Sequence, residues 1–128
     1  MSTLATILLV EDSLLNRKLV ETILKPHGFH VITAENGQAG VEAALRERPD
    51  LILMDVMMPV MNGYDATRCL KDRRETARIP VVALTASAMP HERDQAMEAG
   101  CDGYISKPID TRAFPGQIQQ FLTHRDSA

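Results

Sequence analysis

One short stretch constrains the fold more than any other, because four apolar residues, Leu51 to Met54, run directly into a single carboxylate, Asp55. The run lies between Pro49 and Pro59, and a continuous apolar run of this length is typical of a strand buried on both faces of a parallel sheet. Asp55 then stands at the carboxyl end of that strand, where open parallel sheets bind their ligands. The stretch therefore predicts a rigid, poorly hydrated carboxylate at the edge of a sheet.

The same strand pattern recurs along the chain, with segments of helical spacing between the strands. Further strands are predicted at Ile7–Val10, Val31–Thr33, Val81–Leu84 and Gly103–Ser106. Helices are predicted from Leu14 to about Lys25, Asn36 to about Arg48, Asn62 to about Arg74, Pro90 to Ala99, and Phe114 or Pro115 to Leu122. Five strands that alternate with five helices and right-handed crossovers predict an α/β fold with a doubly wound parallel sheet.

Two of these helices carry specific expectations. The first helix has a repeating apolar stripe that we expect to face the core, made of Leu15, Leu19, Val20, Ile23 and Leu24. The fourth helix has few apolar residues, mainly Ala96, Met97 and Ala99. It is therefore expected to be among the less stable parts of the domain.

Composition excludes several classes of function. The chain has 128 residues, of which 45% are apolar and 24% charged, as in one ordinary globular domain. Its net charge of −3 gives no basic excess for nucleic acid or an anionic membrane, and no apolar run approaches the roughly 20 residues that span a bilayer. Cys69 and Cys101 are isolated, which argues against disulfide or zinc roles and fits a reducing cytoplasm.

Polar side chains follow four of the five predicted strands. Glu11 and Asp12 follow the first, Asp55 the third, Thr85 the fourth and Lys107 the last. The carboxyl ends of parallel strands share one edge, so these residues are expected to converge. Close carboxylate pairs repel by about 4 kcal/mol at an effective dielectric constant of about 20. A lysine and a hard divalent cation such as Mg²⁺ would offset that repulsion.

This set of groups suits phosphoryl transfer. A metal ion and an ammonium group neutralise phosphoryl oxygens, while the carboxylate of Asp55 attacks in line. Thr85 offers a hydroxyl donor, and the small Ala86 leaves the pocket open and its backbone N–H available. Each residue taken singly also suits a turn, a cap or a solvated surface; the combination at successive strand ends favours a site.

These motifs closely resemble the receiver domain of two-component response regulators, over about Ala5 to Leu122. The matching segments are Leu8–Asp12, Leu53–Gly63, Val82–Ala86 and Gly103–Pro108. The resemblance implies a flavodoxin-like sheet of strand order 2-1-3-4-5, an order that is carried over from known receivers. It also implies one receiver domain over residues 1–128, with its core at about 5–122.

The resemblance assigns a role to each site residue. Asp55 would accept a phosphoryl group, and Mg²⁺ would be held by Asp12, Asp55 and the Met57 backbone carbonyl, with Glu11 helping through water. Lys107 and Thr85 would contact the phosphoryl group. Tyr104 would be the switch aromatic, and the peptide bond before Pro108 would be cis. Two departures from the family pattern are Glu11, where many members have Asp, and Pro115–Gly116 in the last helix.

The implied function is a signalling switch and not an enzyme beyond its own phosphorylation and dephosphorylation. A histidine kinase or histidine phosphotransferase would supply the phosphoryl group. Helix 4, strand 5 and helix 5 would form the output face for a downstream protein, with no nucleic-acid or membrane partner. The chain is expected to be cytoplasmic and a monomer or weak dimer. It resembles cell-cycle-type single-domain regulators. It also resembles the receivers of hybrid histidine kinases, and in that case the chain would be a piece excised from such a kinase.

Three other readings remain open on the residues. A haloacid-dehalogenase-type phosphatase would place a second Asp two residues after the nucleophile, where this chain has Met57. A flavodoxin-like FMN binder would need a hydroxyl- and glycine-rich loop after the first strand, where this chain has Glu11 and Asp12. The third is a receiver-like scaffold that binds partners without phosphorylation, which an unmodified mass after incubation with a phosphodonor would favour.

Overall fold

The computed structural model describes residues 5–56, 61–85 and 89–126. Within these residues the strands are β1 (Thr6–Val10), β2 (His30–Ala34), β3 (Leu51–Asp55), β4 (Val81–Thr85) and β5 (Gly103–Ser106). The helices are α1 (Leu14–Leu24), α2 (Gly37–Glu47), α3 (Gly63–Lys71), α4 (Pro90–Ala99) and α5 (Phe114–Asp126), and a short 3₁₀ turn at Lys25–His27 extends α1. None of the helices described here has both the length and the apolar character needed to cross a membrane.

The strands form one parallel sheet in the order β2-β1-β3-β4-β5. This confirms the predicted doubly wound α/β fold and its 2-1-3-4-5 order. All residues of β3 and β4 are buried, whereas β2 at the edge is largely half-exposed. The apolar runs of the two central strands therefore reflect cover on both faces of the sheet.

Alternate residues of each strand enter two separate cores. One core contains Leu8, Ile52 and Ala83 from the sheet and is covered by α2, α3 and α4. The other contains Leu9 and Leu53 and is covered by α1 and α5. This alternation follows from the two-residue period of a strand, and it holds the sheet between two helical layers.

The predicted core face of the first helix was right for Val20, Ile23 and Leu24 and wrong for Leu15 and Leu19. Val20 and Leu24 are buried, but Leu15 is 78% exposed and Leu19 is 41% exposed. The apolar stripe of α1 is wider than the surface that the sheet offers, so only one side of it is covered. Leu14, at the start of the helix, is also exposed.

The remaining helices differ from prediction mainly at their ends. The third helix stops at Lys71, three residues before the expected Arg74, and the chain continues in turns. α4 spans the predicted Pro90 to Ala99, with Gly100 in the left-handed region (φ 106°) as its C-cap. α5 begins at Phe114, so Pro115 lies in its first turn, where the missing N–H costs no helical hydrogen bond.

The start of α3 is packed against the end of β3. A Cβ atom on Gly63 would collide with the carbonyl oxygen of Asp55. The Gly63 N–H also donates to the Val56 carbonyl at 3.3 Å, and the Asn62 side chain caps the helix by accepting from the Asp65 N–H. The absence of a side chain at Gly63 therefore lets a helix terminus support the backbone that carries Asp55.

Candidate functional site

Strand register brings the predicted residues to one edge of the sheet. Val10 is level with Met54, so Glu11, directly after β1, lies beside Asp55, the last residue of β3. Asp55 is level with Leu84, so Thr85, the last residue of β4, is one position beyond it. Thr85 is level with Ser106, and Lys107 directly follows β5. The Lys107 N–H donates to the Thr85 carbonyl at 2.7 Å, which fixes the backbone at the start of the loop that follows β5.

Three carboxylates meet at this edge. Glu11, Asp12 and Asp55 each offer one oxygen, and these oxygens all lie within 4.8 Å of one another. Glu11 is 2% exposed and Asp55 is 3% exposed, whereas Asp12 is exposed to solvent. Oxygen donors of this kind are the ligands that Mg²⁺ prefers in proteins.

The Lys107 ammonium group lies between two of these carboxylates. Its Nζ is 3.3 Å from Asp55 Oδ1 and 3.5 Å from Glu11 Oε1. The lysine side chain is 25% exposed, so it contacts the acids from the solvent side of the site. One ammonium group contacts two of the three carboxylates, which leaves the site with an excess of negative charge.

Glu11 carries the electrostatic cost of this arrangement. Its pKa is raised from 4.5 to about 7, chiefly by burial and in part by the neighbouring Asp55 carboxyl. Asn16 and Lys107 act in the opposite direction. Oε2 of Glu11 is buried and has no hydrogen-bond partner among the described residues. A buried carboxylate oxygen without a donor fits a position that faces a cation.

Other predicted residues lie near the site or outside the described part of the chain. Thr85 is 6% exposed at the end of β4. Tyr104 on β5 is half-buried, and the Arg93 guanidinium of α4 lies 5.1 Å from its ring centroid. The Lys107–Pro108 peptide bond is cis. Met57 and Ala86, whose backbone groups were assigned to the metal and the phosphoryl group, lie outside the described residues.

Two residues at the site were missed by the sequence interpretation. The Asn16 side chain donates to Glu11 Oε1 at 2.5 Å, and Arg17 Nη1 donates to the Glu11 backbone carbonyl at 2.8 Å. Both lie in α1, close after the acidic pair Glu11 and Asp12. Two adjacent polar residues within an otherwise leucine-rich first turn were the available signal.

Comparison with known proteins agrees with this geometry. Residues 7–119 match the response regulator receiver domain family. The polar-differentiation response regulator DivK of Brucella anthropi is 39% identical over 117 residues, which cover 91% of this chain and 95% of that protein.

Solved structures give the same result. The receiver domain of a sensor histidine kinase from Pseudomonas aeruginosa, solved with magnesium coordinated in its active site cleft, is 34% identical, with a TM-score of 0.84 over 98% of this chain and 100% of that one. The chemotaxis response regulator CheY4 of Vibrio cholerae is 29% identical, with a TM-score of 0.88 over 92% of this chain and 98% of that one. The chain therefore belongs to the family of response regulator receiver domains.

Proposed function

We propose that the protein is a phosphorylation-dependent switch of a two-component system and that Asp55 is its phosphoacceptor. The observation that carries the proposal is the position of the buried Asp55 carboxylate, 3.3 Å from the Lys107 ammonium group and beside two further acids. A phosphohistidine of a histidine kinase or histidine phosphotransferase would be the donor.

The three acids differ in how well they suit attack on phosphorus. Asp12 is exposed and lacks a lysine contact among the described ion pairs. Glu11, with its pKa raised to about 7 chiefly by burial, is partly protonated near neutral pH and is the weaker nucleophile. Asp55 combines burial with the shorter lysine contact, which supports Asp55 as the group that reacts.

The transfer uses the groups of the site as follows. An Asp55 oxygen forms a bond to phosphorus as the phosphorus–nitrogen bond of the phosphohistidine breaks, and the freed imidazole keeps the electron pair and takes up a proton. Lys107 and Thr85 would donate to the phosphoryl oxygens, with the Ala86 N–H as a further donor. Bound Mg²⁺, held by Asp12, Asp55 and the Met57 carbonyl with help from Glu11, would offset the charge of the phosphoryl group.

A surface beside the site supports docking of a protein donor. Leu14, Leu15 and Leu19 of α1 are 58%, 78% and 41% exposed. A pocket of about 390 Å³ adjoins them and is lined by Glu11 and Lys107 together with apolar residues such as Leu84. Exposed leucines on the helix that follows Glu11 and Asp12 suit the apolar face of a helix that carries the donor histidine.

The output face is proposed at α4, β5 and α5. α4 buries only Ala96 and Ala99, and its N-cap residue Met89 makes no side-chain capping bond. Its first turn contacts neighbours through polar groups, since Tyr64 donates to Glu92 Oε2 at 3.1 Å and Arg93 stacks on Tyr104. Because α4 buries so little apolar surface, movements of Thr85 and Tyr104 on phosphorylation could displace it at a small cost in free energy. A downstream protein would read that shift.

The organisation of the protein is also part of the proposal. The match covers 91% of this chain and 95% of the DivK relative, which supports a single receiver domain over residues 1–128. The proposed location is the cytoplasm, since free Cys69 and Cys101 fit a reducing compartment. The likeness to a receiver domain of a sensor histidine kinase supports the second arrangement, in which the domain belongs to a hybrid kinase.

The test is direct labelling. The protein is incubated with Mg²⁺ and acetyl phosphate, and the intact mass is measured for the wild type, Asp55→Asn and Asp50→Asn. Asp50 immediately precedes β3, at the opposite end from Asp55, and accepts from the Thr6 N–H at 2.7 Å, so it is a matched control.

The proposal predicts one added phosphoryl group on the wild type and on Asp50→Asn, and none on Asp55→Asn. An unmodified wild-type mass would favour the scaffold that acts without phosphorylation. Labelling of Asp55→Asn equal to that of the wild type would show that another residue is the acceptor.

A further inference from the structure

A hydrogen bond from α1 fixes one oxygen of the Glu11 carboxylate. Asn16 is half-buried in the first turn of α1, and its Nδ2 donates to Glu11 Oε1 at 2.5 Å. The same oxygen is 3.5 Å from Lys107 Nζ. Oε1 is therefore engaged by two donors.

The other oxygen of Glu11 is in a different situation. Oε2 is buried and has no hydrogen-bond partner within the described part of the chain. An unsatisfied buried carboxylate oxygen is costly unless a ligand or cation engages it. The backbone of Glu11 is also fixed, because Arg17 Nη1 donates to its carbonyl oxygen at 2.8 Å.

We infer that Asn16 is a positioning residue for the magnesium site. Its amide holds Glu11 by Oε1 and leaves Oε2 available to the metal or its bound water. The inference rests on the proposed function, since it concerns the same metal site. Glutamate has one more rotatable bond than aspartate, so a Glu at this position has more conformations to lose when it orients toward a cation. The Asn16 amide removes that freedom before the metal binds. Groups that orient metal ligands in this way commonly change metal affinity by 10–100-fold when they are removed.

Asn16 also contributes to the start of its helix, and this role has to be separated from the first. The Asn16 N–H donates to Ser13 Oγ at 3.3 Å, which caps α1. Ser13→Ala removes the cap and leaves the Asn16 side chain and Glu11 in place. It is therefore a control for loss of helix stability without loss of the amide–carboxylate bond.

The experiment measures Mg²⁺ affinity by isothermal titration calorimetry with MgCl₂ in the full chain, without a phosphodonor. The variants are Asn16→Ala, Ser13→Ala, Glu11→Asp, and Glu11→Asp combined with Asn16→Ala. Urea unfolding of each variant gives its stability in parallel. We expect Asn16→Ala to weaken Mg²⁺ binding about tenfold. We expect Ser13→Ala to lower the urea midpoint and leave Mg²⁺ binding at the wild-type value.

The Glu11→Asp background tests whether Asn16 acts through the longer side chain. An aspartate is shorter by one methylene group and withdraws from the Asn16 amide, so the Asn16→Ala change should cost little Mg²⁺ affinity there. An equal loss of Mg²⁺ affinity from Asn16→Ala in both backgrounds would overturn the inference. Wild-type Mg²⁺ affinity in Asn16→Ala would also overturn it, as would a loss of affinity in Ser13→Ala equal to that in Asn16→Ala. The proposed function has a separate readout: labelling of the wild type by acetyl phosphate would survive a failure of the Asn16 inference. A wild type that neither binds Mg²⁺ nor becomes labelled would overturn both.

Discussion

Two lysines lie at opposite edges of the same sheet, and each contacts an aspartate. At the amino edge, Lys71 Nζ donates to three oxygens: the carbonyls of Ala77 and Ile79 at 3.2 and 2.9 Å, and Asp102 Oδ2 at 3.0 Å. The same oxygen of Asp102 accepts from the Val81 N–H at 2.8 Å. This lysine has as many acceptors as it has protons to donate.

The carboxyl edge differs in its contact distances, its charge balance and its hydrogen bonding. Lys107 Nζ contacts Asp55 and Glu11 at the longer distances of 3.3 and 3.5 Å, and the site holds a third acid, Asp12. A buried oxygen of Glu11 lacks a partner among the described residues, and burial raises the pKa of that carboxyl to about 7.

The difference shows how the same residue types perform two tasks. A charge network with every donor and acceptor matched stabilises the fold and has no need of a ligand. A network with surplus charge and an unsatisfied buried oxygen costs stability until a cation and a phosphoryl group enter. The first prediction from this comparison is that substitutions at the two lysines should affect different measurements.

The largest effect is expected for Lys107→Met on labelling by acetyl phosphate. Removing a charged donor aimed at transferring oxygens costs about 100-fold or more in rate. Intact-mass time courses with Mg²⁺ would measure the rate, with Lys71→Met as the matched control that keeps the wild-type rate. Labelling of Lys107→Met at the wild-type rate would mean that the lysine does not contact the phosphoryl group.

Lys71→Met is expected to produce the complementary result. It leaves two carbonyl oxygens and the Asp102 carboxylate without their shared donor, and unsatisfied groups in a half-buried position should cost about 2 kcal/mol of unfolding free energy. Urea unfolding monitored by circular dichroism would measure the loss. An unchanged urea midpoint would show that water replaces the ammonium group at no cost and that the amino-edge network is not structural.

Sequence patterns predicted the two edges unequally. The apolar runs of β3 and β4 and the polar residues that follow them predicted the fold and the convergence at the carboxyl edge, because strand ends in a parallel sheet share one edge. The strand order came only from resemblance to known receivers. The Lys71 network was not predicted, since Lys71 and Asp102 are 31 positions apart and no sequence pattern pairs them.

The misses around α1 have a related cause. Helical spacing identified its apolar residues correctly, but the period alone does not say which side of a wide stripe the sheet covers. Leu15 and Leu19 lie outside that cover. The Asn16 contact was missed because it depends on the angle at which α1 leaves β1, which tertiary packing sets.

Glu11→Gln is expected to stabilise the metal-free protein at pH 8 by on the order of 2 kcal/mol. The folded-state pKa of Glu11 is raised by burial from 4.5 to about 7, so the folded state retains its proton over a range in which the unfolded chain loses it. Stability should therefore fall between about pH 4.5 and 7 in the wild type and stay low above pH 7. The variant, which has no proton to lose at this position, should lack that part of the fall.

Urea unfolding in the presence of a chelator, at several pH values, would measure this dependence. Ser13→Ala is a control that has no titratable group and should lower stability by about 1 kcal/mol at every pH. Equal pH slopes in the wild type and in Glu11→Gln would contradict the raised pKa. Saturating Mg²⁺ should reduce the difference between the two proteins at pH 8, because it stabilises the wild-type carboxylate cluster more than the variant.

The smallest effect is expected for Asp102→Asn, and it decides whether the amino edge depends on charge or on hydrogen-bond geometry. An asparagine oxygen can still accept from Lys71 and from the Val81 N–H, so only the ionic part of the contact is lost. The Asp102 side chain is 47% exposed, and an ion pair so close to solvent contributes less than about 1 kcal/mol. Urea unfolding at low salt and at high salt would measure this, and the loss of stability in the variant should shrink as salt screens the wild-type pair.

A loss of stability that stays large at high salt would show that the carboxylate geometry of Asp102 itself is required. A loss of labelling comparable to that of Lys107→Met would show that the two edges are not separate, because the amino-edge network would then influence the phosphoacceptor through β4 and β5.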